Sequence, residues 1–475
     1  MEPSGDAEVS IPRAKNFTVR AGRRIMRGMH QTRRTFLKTA AAAGIVMSGA
    51  APAILRADET GGKAGEKQTL ALVGAGWWGT NILSHALEDG RVKVVALCDV
   101  DQSQLKKCAD AIAKLTGDTP KTYGDYRELL EREKPKIVIN ATPDHWHALI
   151  TIAAVRAGAH VYVEKPISHT VLEGAAMVKA ARETDRVVQV GTHRRVSPHN
   201  ISAREFIRSG KVGKIGEIKC FVYSGGGAEK PQVNEEPPAG LDWEMWCGPA
   251  PVRKFNKKIH PLGHRHFLDF ANGQLGDWGI HWIDQAMWIM GERMVHPRTV
   301  FSTGGRPIKG APVNSEAGQT TDAPDHQIAA YAFEDLTLTW EHRQFAGDSA
   351  LKHQPIGVHF YGTEGTFHLG WQDGWTFYPR DEKRPTAHED AKFSGEKNSE
   401  NILELWRDFI DAIEQKRRPA CDIEGGHRAT AAALLGMLSL KLGRSVKWDG
   451  TTIVGDDEAA ALLKRQYRGP WEYPT

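Results

Sequence analysis

Cysteine is scarce in this chain. The five present, Cys98, Cys108, Cys220, Cys247 and Cys421, are odd in number and never fall in a CxxC spacing. That pattern argues against both a disulfide framework and a thiolate zinc site. Long apolar runs are lacking too. The Ala-rich stretch from Thr39 to Ala53 is the only candidate, and it is too short and too mild to span a bilayer. An excess of charge is also missing from the body of the protein. Residues 1–57 carry ten Lys/Arg against three Asp/Glu, so the formal +4 of the 475-residue chain becomes −3 once they are set aside. A mildly acidic body gives no footing for nucleic acid or an anionic membrane surface. No low-complexity tract or internal repeat is present, and a chain of this length is expected to divide into more than one core.

The basic front segment has a reading of its own. Thr32-Arg33-Arg34-Thr35-Phe36-Leu37-Lys38, followed by the Ala-rich run and small residues at Ala51, Ala53 and Ala57, has the form of a twin-arginine export signal. Residues 1–57 are therefore expected to be the signal and 58–67 a linker. The mature protein is expected in the periplasm or otherwise exported, with no stable membrane span after processing.

From Gln68 onward, short apolar runs alternate with helical segments, the signature of a parallel sheet with crossover helices. Strands are expected at Leu70–Val73, Val92–Cys98, near Thr122, and at Ile137–Asn140, His160–Val163 and Val187–Val190. Helices fall between them at Trp78–Glu88, Gln102–Leu115, Tyr126–Glu133, Ala148–Ala157 and Val171–Glu183. Residues 68–190 thus have the size of one doubly wound domain. Residues 191–400 change style. A helix over Ser202–Ser209, a strand over Ile215–Tyr223 and a Gly/Pro-rich loop over 224–266 lead to strands at Ala329–Phe333, Thr337–His342, Gly357–Tyr361 and Thr366–Leu369. This implies an α+β domain with a largely antiparallel, open sheet. Residues 375–400 read as surface loop, and 401–475 as C-terminal helices and a tail completing the fold.

Gly74-Ala75-Gly76-Trp77-Trp78-Gly79 follows the first strand and opens a helix. Gly74 supplies the tight turn, Gly76 lets a pyrophosphate approach the backbone, and Gly79 allows close helix–strand packing. Asp99, 20 residues past Gly79 at the end of the second strand, would accept hydrogen bonds from a ribose and repel a 2′-phosphate. The cofactor expected is NAD, with NADP disfavoured. Two further segments lie at carboxyl ends of strands. Ala141-Thr142-Pro143-Asp144-His145-Trp146-His147 assigns Thr142, Pro143 and His147 to the cofactor and His145 to the substrate. Glu164-Lys165-Pro166 assigns Glu164 and Lys165 to the cofactor, and Trp77 and Trp78 join them. In the second domain, Asp277 and His281 are four apart and share a face if helical. A neutral imidazole beside a carboxylate suits removal of an alcohol proton.

With these marks on the page the chain resembles the glucose–fructose oxidoreductase / inositol dehydrogenase / MocA-type (Gfo/Idh/MocA) oxidoreductases. Gly191-Thr192-His193-Arg194-Arg195, the Asp277…His281…Asp284 helix and Asp422-Ile423-Glu424-Gly425-Gly426-His427-Arg428 add to the likeness. The resemblance implies a Rossmann domain joined to an α/β domain whose open sheet forms oligomer contacts. It implies Lys165, Asp277 and His281 as the catalytic set, with His145, His193, Arg194 and Asp284 toward substrate. The expected activity is hydride transfer between NAD and a secondary hydroxyl of a sugar, polyol or glycoside, in a homo-oligomer. Trp146, Trp243, Trp246, Trp278 and Trp282 near the presumed cleft suit the apolar faces of sugar rings. Three other readings remain. One is a glycosidase using retained NAD for transient oxidation and elimination, though no Tyr-Pro-Thr-His segment is present. The second is a metal site at His260, His264, His266 and Asp269, against which the expectation is that no metal is bound. The third is a non-catalytic sugar binder.

Overall fold

The computed structural model describes residues 67–347, 354–393 and 399–475. The twin-arginine segment and nearly all of the linker lie outside the described residues. Six parallel strands, β1 (Gln68–Val73), β2 (Val92–Cys98), β3 (Lys121–Tyr123), β4 (Ile137–Asn140), β5 (His160–Val163) and β6 (Val188–Val190), pair in the order 3-2-1-4-5-6. Every residue of β4 is buried, because helices cover both faces and leave no side for polar alternation. The intervening helices are α1 (Trp77–Asp89), α2 (Gln102–Thr116), α3 (Tyr126–Glu133), α4 (Asp144–Arg156) and α5 (Val171–Glu183). Their starts are encoded locally. Asp101 accepts from the backbone N–H groups of Ser103 and Gln104 to cap α2, and Thr170 with Glu173 forms a capping box on α5. The strand order reverses between β1 and β4, which opens a crevice at their carboxyl ends.

The second sheet is mixed and nine-stranded. Its strands are β7 (Ile215–Tyr223), β9 (Thr299–Gly305), β11 (His326–Ala332), β12 (Thr337–Arg343), β13 (Ile356–Gly362), β14 (Gly365–Gly370), β15 (Trp375–Pro379), β16 (Ala387–Glu389) and β17 (Val446–Lys447), paired 16-15-14-13-7-12-11-9-17. The short β8 (Gln232–Val233) and β10 (Gly318–Gln319) pair separately. All of its ladders are antiparallel except β7 with β12, as the largely antiparallel expectation requires. The helices α6 (Pro198–Arg208), α8 (Ile280–Met290) and α10 (Ile423–Leu442) pack on one face, while Phe301, Ile328, Tyr361 and Tyr378 are exposed on the other.

Two expectations need correction. Residues 375–400, read as surface loop, contain β15 and β16. Trp375 and Phe377 are buried against Phe206, and the charges sit in the turn after Pro379. The helix expected at Ala148 begins at Asp144, which puts Asp144–His147 in its first turn, above the crevice. The C-terminal helices, expected to complete the fold, are shared between the two cores. Ile402, Leu405, Trp406, Phe409 and Ile410 of α9 (Ser399–Glu414) join the core of the parallel sheet, whereas Ala429–Leu435 of α10 join the core of the second.

Candidate active site

A cavity of about 560 Å³ runs from the glycine turn to α8, within the usual range for ligand sites. The turn is built for close backbone contact. Gly74 adopts φ +92°, and a Cβ there would lie 2.7 Å from the carbonyl carbon of Ala141. A Cβ on Gly79 would sit 2.0 Å from the Gly74 carbonyl oxygen. A Cβ on Gly76 would meet no atom within 4 Å, so its face is open for a phosphate to approach. Asp99 accepts the Ala75 N–H at 2.7 Å and the Asp101 N–H at 2.9 Å, and burial pushes its carboxyl up to about 6 against those bonds. Gly74, Gly76, Gly79, Asp99, Thr142, Pro143, Trp77, Trp78, Glu164 and His147 all line this cavity. The groove, glycine face and acid fit a dinucleotide.

At the other end Lys165 Nζ donates to Asp277 Oδ1 at 2.6 Å and to the Asp277 carbonyl at 3.0 Å. Burial alone would raise the Asp277 carboxyl, but Lys165 and Arg265 more than offset it and hold it well below the usual carboxylate range. His281 shares the cavity wall, and burial, reinforced by Lys165 and His193, keeps its imidazole neutral far below the ordinary value. Its Nδ1 is buried without a partner among the described residues. The sequence placed Asp277 and His281 on one continuous α-helix. The structure instead has a π-helical turn over Leu275–Gly279 before α8, and Asp277 hydrogen-bonds Lys165, not His281. Such turns recur at functional sites because they re-aim side chains.

His193 also lines the cavity, with burial taking its imidazole down to about 3. Three side chains expected at the substrate are not part of the cavity wall. Arg194 is buried behind Trp371, donating to its carbonyl at 2.5 Å and stacking 4.2 Å from its ring centroid. Asp284 is fully buried in a two-point ion pair with Arg195, at 2.9 and 2.5 Å. His145 places Nε2 2.9 Å from the Trp246 carbonyl. Each is tied up by partners from distant chain segments that local spacing cannot reveal. The residues weighed as a metal site are also dispersed: His260 meets Asp101 at 2.8 Å, Asp269 meets Arg253 at 2.6 Å, and His264 lines the cavity. Trp371, Arg265 and Asp144 line the cavity and were not anticipated. Asp144 lay inside a segment already singled out and Arg265 between two of the histidines, but Trp371 carried no signal.

A parallel sheet with an open glycine turn, an acid at the end of β2 and a Lys–Asp pair beside a neutral histidine define a dinucleotide-dependent oxidoreductase architecture. Comparison with known proteins narrows this. The Gfo/Idh/MocA model described as "Oxidoreductase family, NAD-binding Rossmann fold" matches residues 69–192, and that for the "Oxidoreductase family, C-terminal alpha/beta domain" matches 214–304 and 398–473. The chain belongs to the Gfo/Idh/MocA oxidoreductase family, and its first domain is an NAD-binding Rossmann domain. A levoglucosan dehydrogenase of Pseudarthrobacter phenanthrenivorans is 28% identical over 193 residues, 39% of this chain and 43% of that protein. A glycosyl hydrolase family 109 protein of Parabacteroides distasonis is 30% identical over 202 residues, again 39% of this chain and 43% of that protein. These two relatives are therefore matched over less than half their length. The solved structure of a levoglucosan dehydrogenase in complex with NADH and levoglucosan aligns with TM-score 0.60 at 19% identity, covering 80% of this chain and 99% of that one, which is a likeness of fold.

Proposed function

We propose that this protein is an NAD(H)-dependent oxidoreductase acting on a secondary hydroxyl of a sugar, polyol or glycoside. The observation that carries the reading is the Lys165–Asp277 pair, 2.6 Å apart, in one cavity with His281 and the glycine turn. Bound in the groove, NAD supplies the hydride acceptor or donor. The chain's own residues do the rest. Asp277 takes two of the Lys165 N–H donors and fixes the ammonium, leaving a further donor for the substrate oxygen, where negative charge grows as the hydroxyl proton leaves. The neutral His281 imidazole receives that proton. Trp278 and Trp371, with ring centroids 5.1 Å apart beside His281, exclude water and offer an apolar face to a pyranose or cyclitol ring.

Lys165→Ala is expected to lower kcat on the best hydroxyl substrate by roughly 100-fold or more, while NAD affinity, read by fluorescence titration, stays within a few fold. Undiminished turnover would remove Lys165 from the mechanism. A second reading draws support from the similarity to the glycosyl hydrolase family 109 protein. In it the same oxidation would acidify the neighbouring C–H, elimination would expel the aglycone, and addition of water with return of the hydride to the keto sugar would leave no net change in NAD. Release of free sugar from a glycoside without net NADH would select it. Net NADH stoichiometric with product would select the dehydrogenase.

A further inference from the structure

Arg194 carries a charge that the proton transfer just described does not use. Its side chain is only 1% exposed. Nη2 donates to the carbonyls of Trp371 at 2.5 Å and Gly370 at 3.3 Å, whereas Nε and Nη1 are buried with no partner among the described residues. Burial draws the guanidinium down to about 9, and Asp373, in the turn after β14, counters it. Burying a guanidinium without a hydrogen-bonded carboxylate is costly, and an apolar side chain of similar volume would fill the space more stably. What the cation gains is Trp371, whose ring centre lies 4.2 Å from the guanidinium carbon. Trp371 occupies the same turn, which the Gly370 N–H closes by donating to the Gly374 carbonyl at 2.9 Å. Its ring stands edge-on to those of Trp278, His281, Trp282 and His193, at centroid distances of 5.1, 5.3, 5.8 and 5.9 Å. All but Trp282 line the cavity with it. A hairpin turn of the second sheet thus supplies the wall beside the proton-accepting imidazole.

We infer that Arg194 is a positioning residue that acts through Trp371, holding its indole against His281 so that the imidazole meets the reacting hydroxyl in one orientation. The guanidinium has two grips on the turn. Nη2 fixes the backbone through two successive carbonyls, and the planar face steadies the ring beside it. Trp371 in turn restrains His281. A catalytic base is commonly oriented by a third group hydrogen-bonded to it. Here the His281 Nδ1 has no partner among the described residues, and Asp277 is committed to Lys165. Packing against Trp371 and its neighbours does the orienting instead. Arg194 therefore serves the reaction from behind the cavity wall, without touching substrate. This inference rests on the proposed oxidoreductase reading.

The first measurement needs no substrate. The emission that Trp371→Phe removes is compared with and without Arg194→Met, and its acrylamide quenching constant is expected to rise once the cation is gone. The second uses the best substrate from a panel of sugars, polyols and glycosides. Arg194→Met is expected to lower kcat about tenfold, with KM changed less than about threefold and NADH affinity at the wild-type value. Trp371→Ala is expected to lower kcat by a similar factor. The double variant should fall no more than about twofold below the worse single one, because both changes remove the same restraint. Arg194→Lys, which keeps a cation over the ring, should return kcat to within about threefold of wild type. Arg194→Gln replaces Arg194→Met in the same cycle should the latter not fold. An arginine with a structural role alone would lower the melting temperature and leave kcat per folded molecule unchanged. That result, an unchanged quenching constant, or losses that multiply in the double variant would overturn the inference and leave the oxidoreductase reading standing. No turnover of any hydroxyl compound or glycoside would end that reading, and this inference with it.

Discussion

At the scale of single residues, the site depends on which charges are cancelled and which are not. Asp277 is committed to Lys165 and Arg265, so it does not serve as the direct hydrogen-bond partner of His281 that a four-residue spacing suggests. His281 is a base for a different reason. Burial first, then the nearby Lys165 and His193, disfavour its imidazolium, against a smaller pull upward from Asp277. Its folded value is lowered, so the neutral form persists on the acid side of the ordinary imidazole range. For oxidation of the best substrate, His281 is therefore expected to add no break to kcat/KM as pH falls through about 6.5. A break there that disappears in His281→Gln would contradict that account. The residue types at this site were largely legible in sequence: Lys165, Asp277 and His281 all lie on the cavity. Their partners were not, because Lys165 and Asp277 are 112 positions apart.

At the scale of elements, the segment between Gly240 and His266 is pinned to the parallel-sheet domain where the dinucleotide groove ends. Gln102 donates to the Gly240 carbonyl at 3.0 Å, Asp242 donates to the Val100 carbonyl at 3.0 Å, and His260 Nε2 meets Asp101 at 2.8 Å. The same segment contributes Met245, Trp246, Pro261 and Leu262 to the wall facing Val100 and Gln104. It forms a strap beside Asp99 at the cavity wall, so loosening it is expected to ease the exit of a nucleotide seated there. Removing one hydrogen bond to a charged group costs about 1.5–3 kcal/mol. His260→Ala is accordingly expected to speed NADH release roughly tenfold in a stopped-flow chase, with the sugar KM little changed. An unaltered release rate would mean the strap does not gate the groove. Composition marked this stretch only as a Gly/Pro-rich loop, because its order comes from the surface it lies on and not from any period of its own. The elements of the parallel sheet were easier. Their apolar runs and capping residues are local, and β2, β4 and β5 occupy the anticipated residues.

At the scale of the whole molecule, buried histidines dominate the response to acid. Burial takes His145 and His193 down to about 3 and His147, His342 and His427 to about 4. In the unfolded chain each titrates near 6.5. A lowered histidine contributes stability above the unfolded value and loses it as pH falls toward the folded one, on the order of 1 kcal/mol per pH unit for each group. Burial raises Asp99 to about 6 and Asp144 to about 7 and also lifts Glu164, Asp284 and Asp322, which acts in the opposite direction, but with His160, His199 and His359 lowered as well the imidazoles outnumber these carboxyls. The denaturant midpoint is expected to decline steadily from pH 7 to pH 5. A constant midpoint across that interval would refute the assignment of these imidazoles as neutral.

By itself the chain determined whatever depends on neighbours in sequence: the alternation of strands and helices in the first domain, the glycine turn and its acid, and the short motifs that bear the chemistry. Periodicity, capping and backbone freedom operate over a few residues, so they can be read without coordinates. Folding in three dimensions decided which of those side chains face the cavity. It buried Asp284 against Arg195 and Arg194 behind Trp371, sent α9 back to the first core, and brought Asp144 and Arg265 to the reacting end. The physical reason is that charge pairing and desolvation are settled between segments far apart in the chain, where no local pattern operates.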